Sequence, residues 1–151
     1  METEFLPETM PEDFEFSLTW GCYGISSYDS KTGKLVKTTD ATHPEDYIAY
    51  YELSQDYKER IYRYIRSLDP EDYPDSYNPN KNMASSPSLT LILSVTSNGM
   101  EKTIEAEDIA YTYESKNKKG QAFLSACKSI ELILTGTVEW SSLPEYEFLY
   151  D

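Results

Sequence analysis

The chain has 151 residues, enough for one domain with a core of its own and no need of disulfide or metal staples. It carries 27 Asp and Glu against 13 Lys and Arg, for a net charge of -14, which argues against direct binding of DNA, RNA or anionic lipid. With 14 Tyr and 5 Phe it is too aromatic to be disordered throughout, and no apolar run reaches the roughly 18 residues a membrane span requires.

Residues 1–13 hold Glu2, Glu4, Glu8, Glu12, Asp13, Pro7 and Pro11 and no basic residue, the composition of a mobile or loosely docked acidic arm. The arm shows neither the basic region nor the apolar run of a signal peptide, so the chain as written is expected in the cytoplasm. An exported chain whose signal peptide had been removed would read the same way. A single α+β domain is expected over residues 14–151.

From Phe14 the pattern becomes period two. Phe14, Phe16, Leu18 and Trp20 fall on one face and Glu15, Ser17 and Thr19 on the other, which predicts a half-buried strand. Gly21 and Gly24 bracket Cys22 and Tyr23 and point to a bulge or sharp bend into a second strand over residues 25–28. Asp29, Ser30, Lys31, Thr32 and Gly33 then form a turn, with Gly33 suited to positive φ, before a third strand over 34–39. This unit is a three-stranded meander.

Tyr47, Ala49 and Tyr51 alternate with Ile48, Tyr50 and Glu52, which favours a further strand ending near Leu53. Ser54 is a natural N-cap, Asp56 suits a first turn, and Tyr57, Ile61, Tyr64, Ile65 and Leu68 have helical spacing, so residues 54–68 form a helix. Glu59 and Arg63 are spaced to pair, and Lys58, Arg60, Arg63 and Arg66 read as the solvated face of that helix.

Residues 69–87 contain Pro70, Pro74, Pro79 and Pro87 and form a long loop, of the length associated with functional or mobile segments. Leu89, Leu91, Leu93 and Val95 alternate with Thr90, Ile92, Ser94 and Thr96, and Asn98 followed by Gly99 is a strong hairpin signal, returning in a strand over about 100–106. Residues 108–113 read as a short strand or irregular edge and 114–120 as a basic turn. A second helix spans 121–134 with Phe123, Cys127, Ile130, Ile133 and Leu134 inward, stopped by Gly136. In the aromatic tail Trp140, Leu143, Phe148 and Tyr150 are expected to dock on the body.

The run of strands followed by helices predicts an α+β fold: a mainly antiparallel sheet of five to seven strands with two α-helices packed on one face.

Catalytic inventories are thin. Cys22 has no visible base, since His43 is the sole histidine and sits beside Pro44, and Cys22 and Cys127 with one His complete no common zinc pattern. Both cysteines read as free buried thiols, and a disulfide between them is reasonable only in an oxidising compartment. No glycine-rich nucleotide loop or nucleophile elbow is present, and no cofactor is implied. The loop over 69–80 offers oxygen ligands but lacks the Gly and closing Glu of a calcium loop.

That same loop joins carboxylates to tyrosines, a composition suited to protein binding, so Asp69, Glu71, Asp72, Tyr73, Asp75 and Tyr77 are the candidate partner-binding residues. The leading expectation is a non-enzymatic, acidic interaction domain whose partner is a protein, a basic one if charge decides. Alternatives are an acidic inhibitor that mimics nucleic acid, as in phage anti-defence proteins, and a carboxylate-dependent hydrolase.

The stretch WGCYGISSYDSKTGKLVKT with its Thr32, Gly33, Lys34 turn, the Tyr-rich strand, the Asn98–Gly99 hairpin and the ending Glu139, Trp140, Leu143, Pro144, Glu145, Tyr146 resembles uncharacterised small bacterial α+β domains, some of them in lipoproteins of gut-type Firmicutes. The resemblance implies an α+β fold and favours an extracytoplasmic origin. It implies no catalytic residue.

Overall fold

The computed structural model describes residues 4–21, 25–38, 46–77, 88–110 and 118–142. Strands β1 (Glu15–Gly21), β2 (Ile25–Asp29), β3 (Lys34–Thr38) and β4 (Asp46–Tyr50) precede helix α1 (Gln55–Leu68). Strands β5 (Ser76–Tyr77), β6 (Ser88–Ser97) and β7 (Met100–Ala110) follow, then α2 (Lys118–Thr135) and the single turn α3 (Val138–Ser141). The seven strands form one sheet in the order β4-β3-β2-β1-β6-β7-β5, antiparallel throughout except for β5 beside β7.

Alternation in β1 sets the register of the whole sheet. Phe16, Leu18 and Trp20 point inward, and Leu18 lies opposite both Tyr28 of β2 and Leu93 of β6. The same row continues to Leu35 and Ala49 on one side and Ile104 on the other. Leu18, Tyr28, Leu35, Leu93 and Ile104 are all buried in this row, and each such side chain contributes about 1.5–3 kcal/mol by leaving water. A one-residue slip of any strand would turn its part of the row to solvent. On the opposite face, Ser17, Ser94 and Thr103 form a polar row in which the Ser94 and Thr103 hydroxyls are 3.0 Å apart.

The expected meander is therefore a four-stranded unit, because β4 adds antiparallel to β3 and ends at Tyr50 rather than Leu53. Gly33 takes φ 76° in the turn, where its N–H donates to Asp29 O and its carbonyl accepts from Tyr51 N. Asn98 and Gly99 both take positive φ, 53° and 77°, as the tight hairpin requires. Strand β7 runs on to Ala110, so the separate edge expected from Asp108 is the end of this strand through 110. A register shift between Leu89 and Leu91 near the far end of β6 lets the long pair stay twisted.

The two long helices pack against each other, and α2 also meets β1. Ser54 caps α1 by accepting from Tyr57 N. Its buried stripe is Ile61, Tyr62, Ile65 and Leu68, which corrects the sequence expectation: Tyr57 and Tyr64 are exposed and Tyr62 is inside. At about 100° per residue Tyr62 lies on one shoulder of the Ile61–Ile65 stripe and the other two tyrosines on the opposite shoulder. The covered shoulder is the one that the N-terminal segment reaches.

That segment is not the loosely attached arm expected from its charge. Phe5 and Leu6 are buried in the core, Pro7 O accepts from the Tyr62 hydroxyl, and Leu6 O accepts from Arg66 Nε at 3.1 Å. At the other end, Asp13 receives the backbone N–H groups of Asn98 and Gly99 at 2.7 and 2.8 Å, which holds its carboxyl below the ordinary range. Two of the four cations read as a solvated face are thus engaged, because Lys58 pairs with Glu15 at 3.2 Å and Arg66 holds the arm.

Helix α2 begins at Lys118, earlier than expected, and buries Leu124 and Ala126 besides Phe123, Cys127, Ile130 and Leu134, while Ile133 is half-buried. Gly136 follows its end and donates to Leu132 O. Trp140 docks as expected, 5.6 Å from Trp20 and 4.4 Å from the Lys37 ammonium. Cys22, His43, Pro79, Pro87, Tyr113, Leu143, Phe148 and Tyr150 lie outside the described residues.

Candidate functional site

The loop singled out by its acids and tyrosines begins where α1 ends. Asp69 occupies the left-handed region (φ 54°, ψ 63°) as the C-cap, with its N–H on Arg66 O; Asp is one of the few residues besides Gly that tolerates this conformation. Pro70 then starts a single 3₁₀ turn, Pro70–Asp72, with the fixed φ that suits the first helical position. Tyr73 leaves that turn extended and points inward.

Tyr73 is only 4% exposed, so it is core and not a contact surface. Its hydroxyl donates to Lys119 O at 2.8 Å, and the Lys119 ammonium lies 4.6 Å from its ring while donating to Asp72 O. Tyr77, half-buried, stacks edge-on against Tyr73 (5.1 Å between centroids) and against Phe123 of α2 (5.7 Å). Burial, with the neighbouring Tyr77 second, pushes the Tyr73 phenol up to about 12; burial also raises that of Tyr77. Both tyrosines expected to meet a partner instead fasten the loop to α2. The compositional signal missed this because a Tyr in an acidic loop looks alike whether its ring faces out or in.

The carboxylates are what remain outside. Asp69, Glu71, Asp72 and Asp75 are exposed. Asp75 is anchored by its backbone, whose carbonyl accepts from Glu105 N at 2.7 Å, and its carboxylate meets Lys102 at 2.7 Å. The parallel pairing of Ser76 and Tyr77 with Glu105 and Ala106 then fixes the end of the loop on the sheet. Residues 78–80, Asn80 among them, lie outside the described residues.

Asp69, Glu71 and Asp72 share a cleft of about 500 Å³ with Glu4, Phe5, Leu6, Arg66 and Ser67. A shallower depression of about 350 Å³ continues from Phe5 and Glu71 to Met100, Glu101 and Lys102. The sequence reading missed Glu4, Phe5, Leu6 and Glu101 because it set the arm apart from the domain. An apolar pair, Phe5 and Leu6, inside an otherwise acidic arm was the available signal.

A second cleft of about 510 Å³ lies between the β2–β3 turn and the start of α1. Two of its ionised groups, Glu15 and Lys58, are used within the fold, while Lys31 and Glu52 are exposed: Ser30 Oγ donates to Glu15 and accepts from Phe16 N at 2.8 Å, and the other Glu15 oxygen takes Lys58. The Tyr28 hydroxyl beside it donates to Tyr51 O at 3.0 Å, and burial raises the Tyr28 phenol. The Cys127 thiol is free and wholly buried, and burial, with Glu131 second, raises it far above the range in which a thiolate forms at neutral pH. Among the described residues no three His, Cys, Asp or Glu side chains gather as a metal ion would need, and no helix is long and apolar enough to cross a membrane. No protein-family model matches the chain, and no curated protein matches it.

Proposed function

We propose that the chain is a non-enzymatic interaction domain that takes a basic segment of a protein partner along the edge formed by Glu4, Asp69, Glu71, Asp72 and Asp75. The observation that carries this reading is the fixed, outward presentation of the loop carboxylates. Tyr73 and Tyr77 anchor the loop from beneath, so the acids need not lose loop entropy on binding. Charge complementarity of this kind mainly speeds encounter and selects the partner.

The test begins with a photoreactive residue at Glu71 to capture and identify the partner, followed by calorimetric titration of that partner with wild type and with Glu71→Lys, Asp72→Lys. Both side chains are exposed, so the variant keeps the wild-type circular dichroism. Affinity falls at least tenfold and the loss shrinks with salt; unchanged affinity removes the reading. The net charge of -14 also favours a more specific version, an inhibitor that occupies the groove of a nucleic-acid-binding protein. In that case DNA or RNA competes with the domain for its partner.

A further inference from the structure

The helical layer has the opposite charge to the rest of the molecule. Helices α1 and α2 hold seven of the 13 Lys and Arg but only three of the 27 Asp and Glu, so the layer carries +4 and the remainder of the chain -18. Exposed apolar side chains gather on the same layer. Tyr57 (45% exposed), Tyr64 (37%) and Leu132 (60%) are three of the large hydrophobic residues left in solvent, and Val138 just beyond α2 is another.

One groove joins one of these cations, Arg60, to most of these exposed apolar side chains. Tyr57, Arg60 and Tyr64 on α1 face Leu132 and Ile133 on α2 across a depression of about 330 Å³ that ends at Gly136. The Arg60 guanidinium lies over the Tyr57 ring, 5.4 Å from its centroid, and is exposed to an incoming carboxylate. Arg63, one turn on, is exposed as well. Tyr and Arg beside a Leu-lined depression is the residue mixture from which binding hot spots are built.

We infer that the α1–α2 groove is a second docking site, and that its occupant is an acidic amphipathic segment of a partner protein, seating an apolar side chain between Tyr64 and Leu132 and its carboxylates on Arg60 and Arg63. Charge selects this occupant. A second copy of the chain paired through the same face would bring another +4 layer against this one, and a basic segment would meet Arg60 and Arg63 directly.

The inference is tested on the full chain with two labelled 15-residue helical peptides that share Leu and Trp at positions i, i+3, i+4 and i+7. One carries Glu at the remaining positions and the other Lys. Fluorescence anisotropy should show saturable binding of the Glu peptide, weakened at least tenfold by Arg60→Glu and by Leu132→Ser, and unchanged by Glu71→Lys, Asp72→Lys on the other edge. Amide shifts in 15N spectra should then cluster on α1 and α2. The inference is overturned if the Glu peptide fails to bind at millimolar concentration, if the Lys peptide binds as well at the groove, or if Arg60→Glu leaves the affinity unchanged. It is also overturned if sedimentation shows a dimer that Leu132→Ser dissociates, since the groove would then be a contact between copies. Because the acidic-edge variant is scored separately, failure of this site and failure of the basic-partner reading are distinguishable.

Discussion

The Tyr73 hydroxyl donates to the backbone carbonyl of Lys119 at 2.8 Å, and the Lys119 side chain folds back so that its ammonium lies 4.6 Å from the Tyr73 ring and bonds Asp72 O. Two residues 46 positions apart thereby close the acidic loop onto the first turn of α2. Residues 72–77 are fastened to α2 and β7 where the sequence suggests only a long loop.

Tyr73→Phe keeps the ring and loses the hydroxyl bond, leaving Lys119 O without this partner, and should cost about 1 kcal/mol in urea unfolding. Tyr73→Ala should cost about 3–5 kcal/mol. The phenol also predicts a pH response. Its folded value is raised to about 12 from 10.0, so its contribution is complete below pH 10 and is lost as pH rises from there through about 12. The denaturation midpoint of the wild type should fall across that window, and Tyr73→Phe should fall less.

Asp13 works in the opposite direction. Backbone N–H groups of Gly99 and Asn98 hold its carboxyl below the ordinary value of 3.8, so its stabilisation is present above that value and disappears as pH falls through the lower, folded one. Asp13→Ala should therefore be less stable than wild type at pH 7, and the gap should narrow in strong acid. Urea midpoints at both pH values measure it; a gap independent of pH would mean the carboxylate charge is irrelevant to the hairpin.

Gly33 and Gly99 have almost the same positive φ, yet the two substitutions should differ. A methyl group at Gly99 meets nothing within 4 Å, so Gly99→Ala pays only the backbone penalty of about 1–2 kcal/mol. At Gly33 it would lie 2.7 Å from Tyr51 O, a backbone atom held by the bond from Tyr51 N to Gly33 O. Gly33→Ala should be the more destabilising of the two by calorimetry.

Phe5 tests whether the N-terminal segment belongs to the folded unit. It is 8% exposed, within the core, and Phe5→Ala should cost about 3 kcal/mol. A thermal midpoint equal to that of wild type would return the segment to the status of an arm.

The sheet was legible because period two, positive-φ glycines and the Asn98–Gly99 pair are local signals, and each is expressed where it stands: β1 alternates, Gly33 turns, and the hairpin forms. Helix α1 was legible to its cap at Ser54. Its buried face was not, because Tyr62 and Tyr64 have equal claims until the N-terminal segment covers one shoulder. The candidate acids Asp69, Glu71 and Asp72 are exposed as their charge alone implies, since a carboxylate stays in water, and Asp75 is exposed even though it pairs with Lys102.

Local pattern thus determined strands β1 to β4, the β6–β7 hairpin, their turns and the start of α1, because each depends on neighbours a few residues away. Tertiary structure alone decided which tyrosines became core, that Phe5 and Leu6 close the domain, and that Arg66 and Lys119 tie down the N-terminal segment and the acidic loop while Arg60 is left at an apolar groove between the helices. Those outcomes depend on groups tens of residues apart competing for the same buried volume, and no periodicity within one segment records the winner.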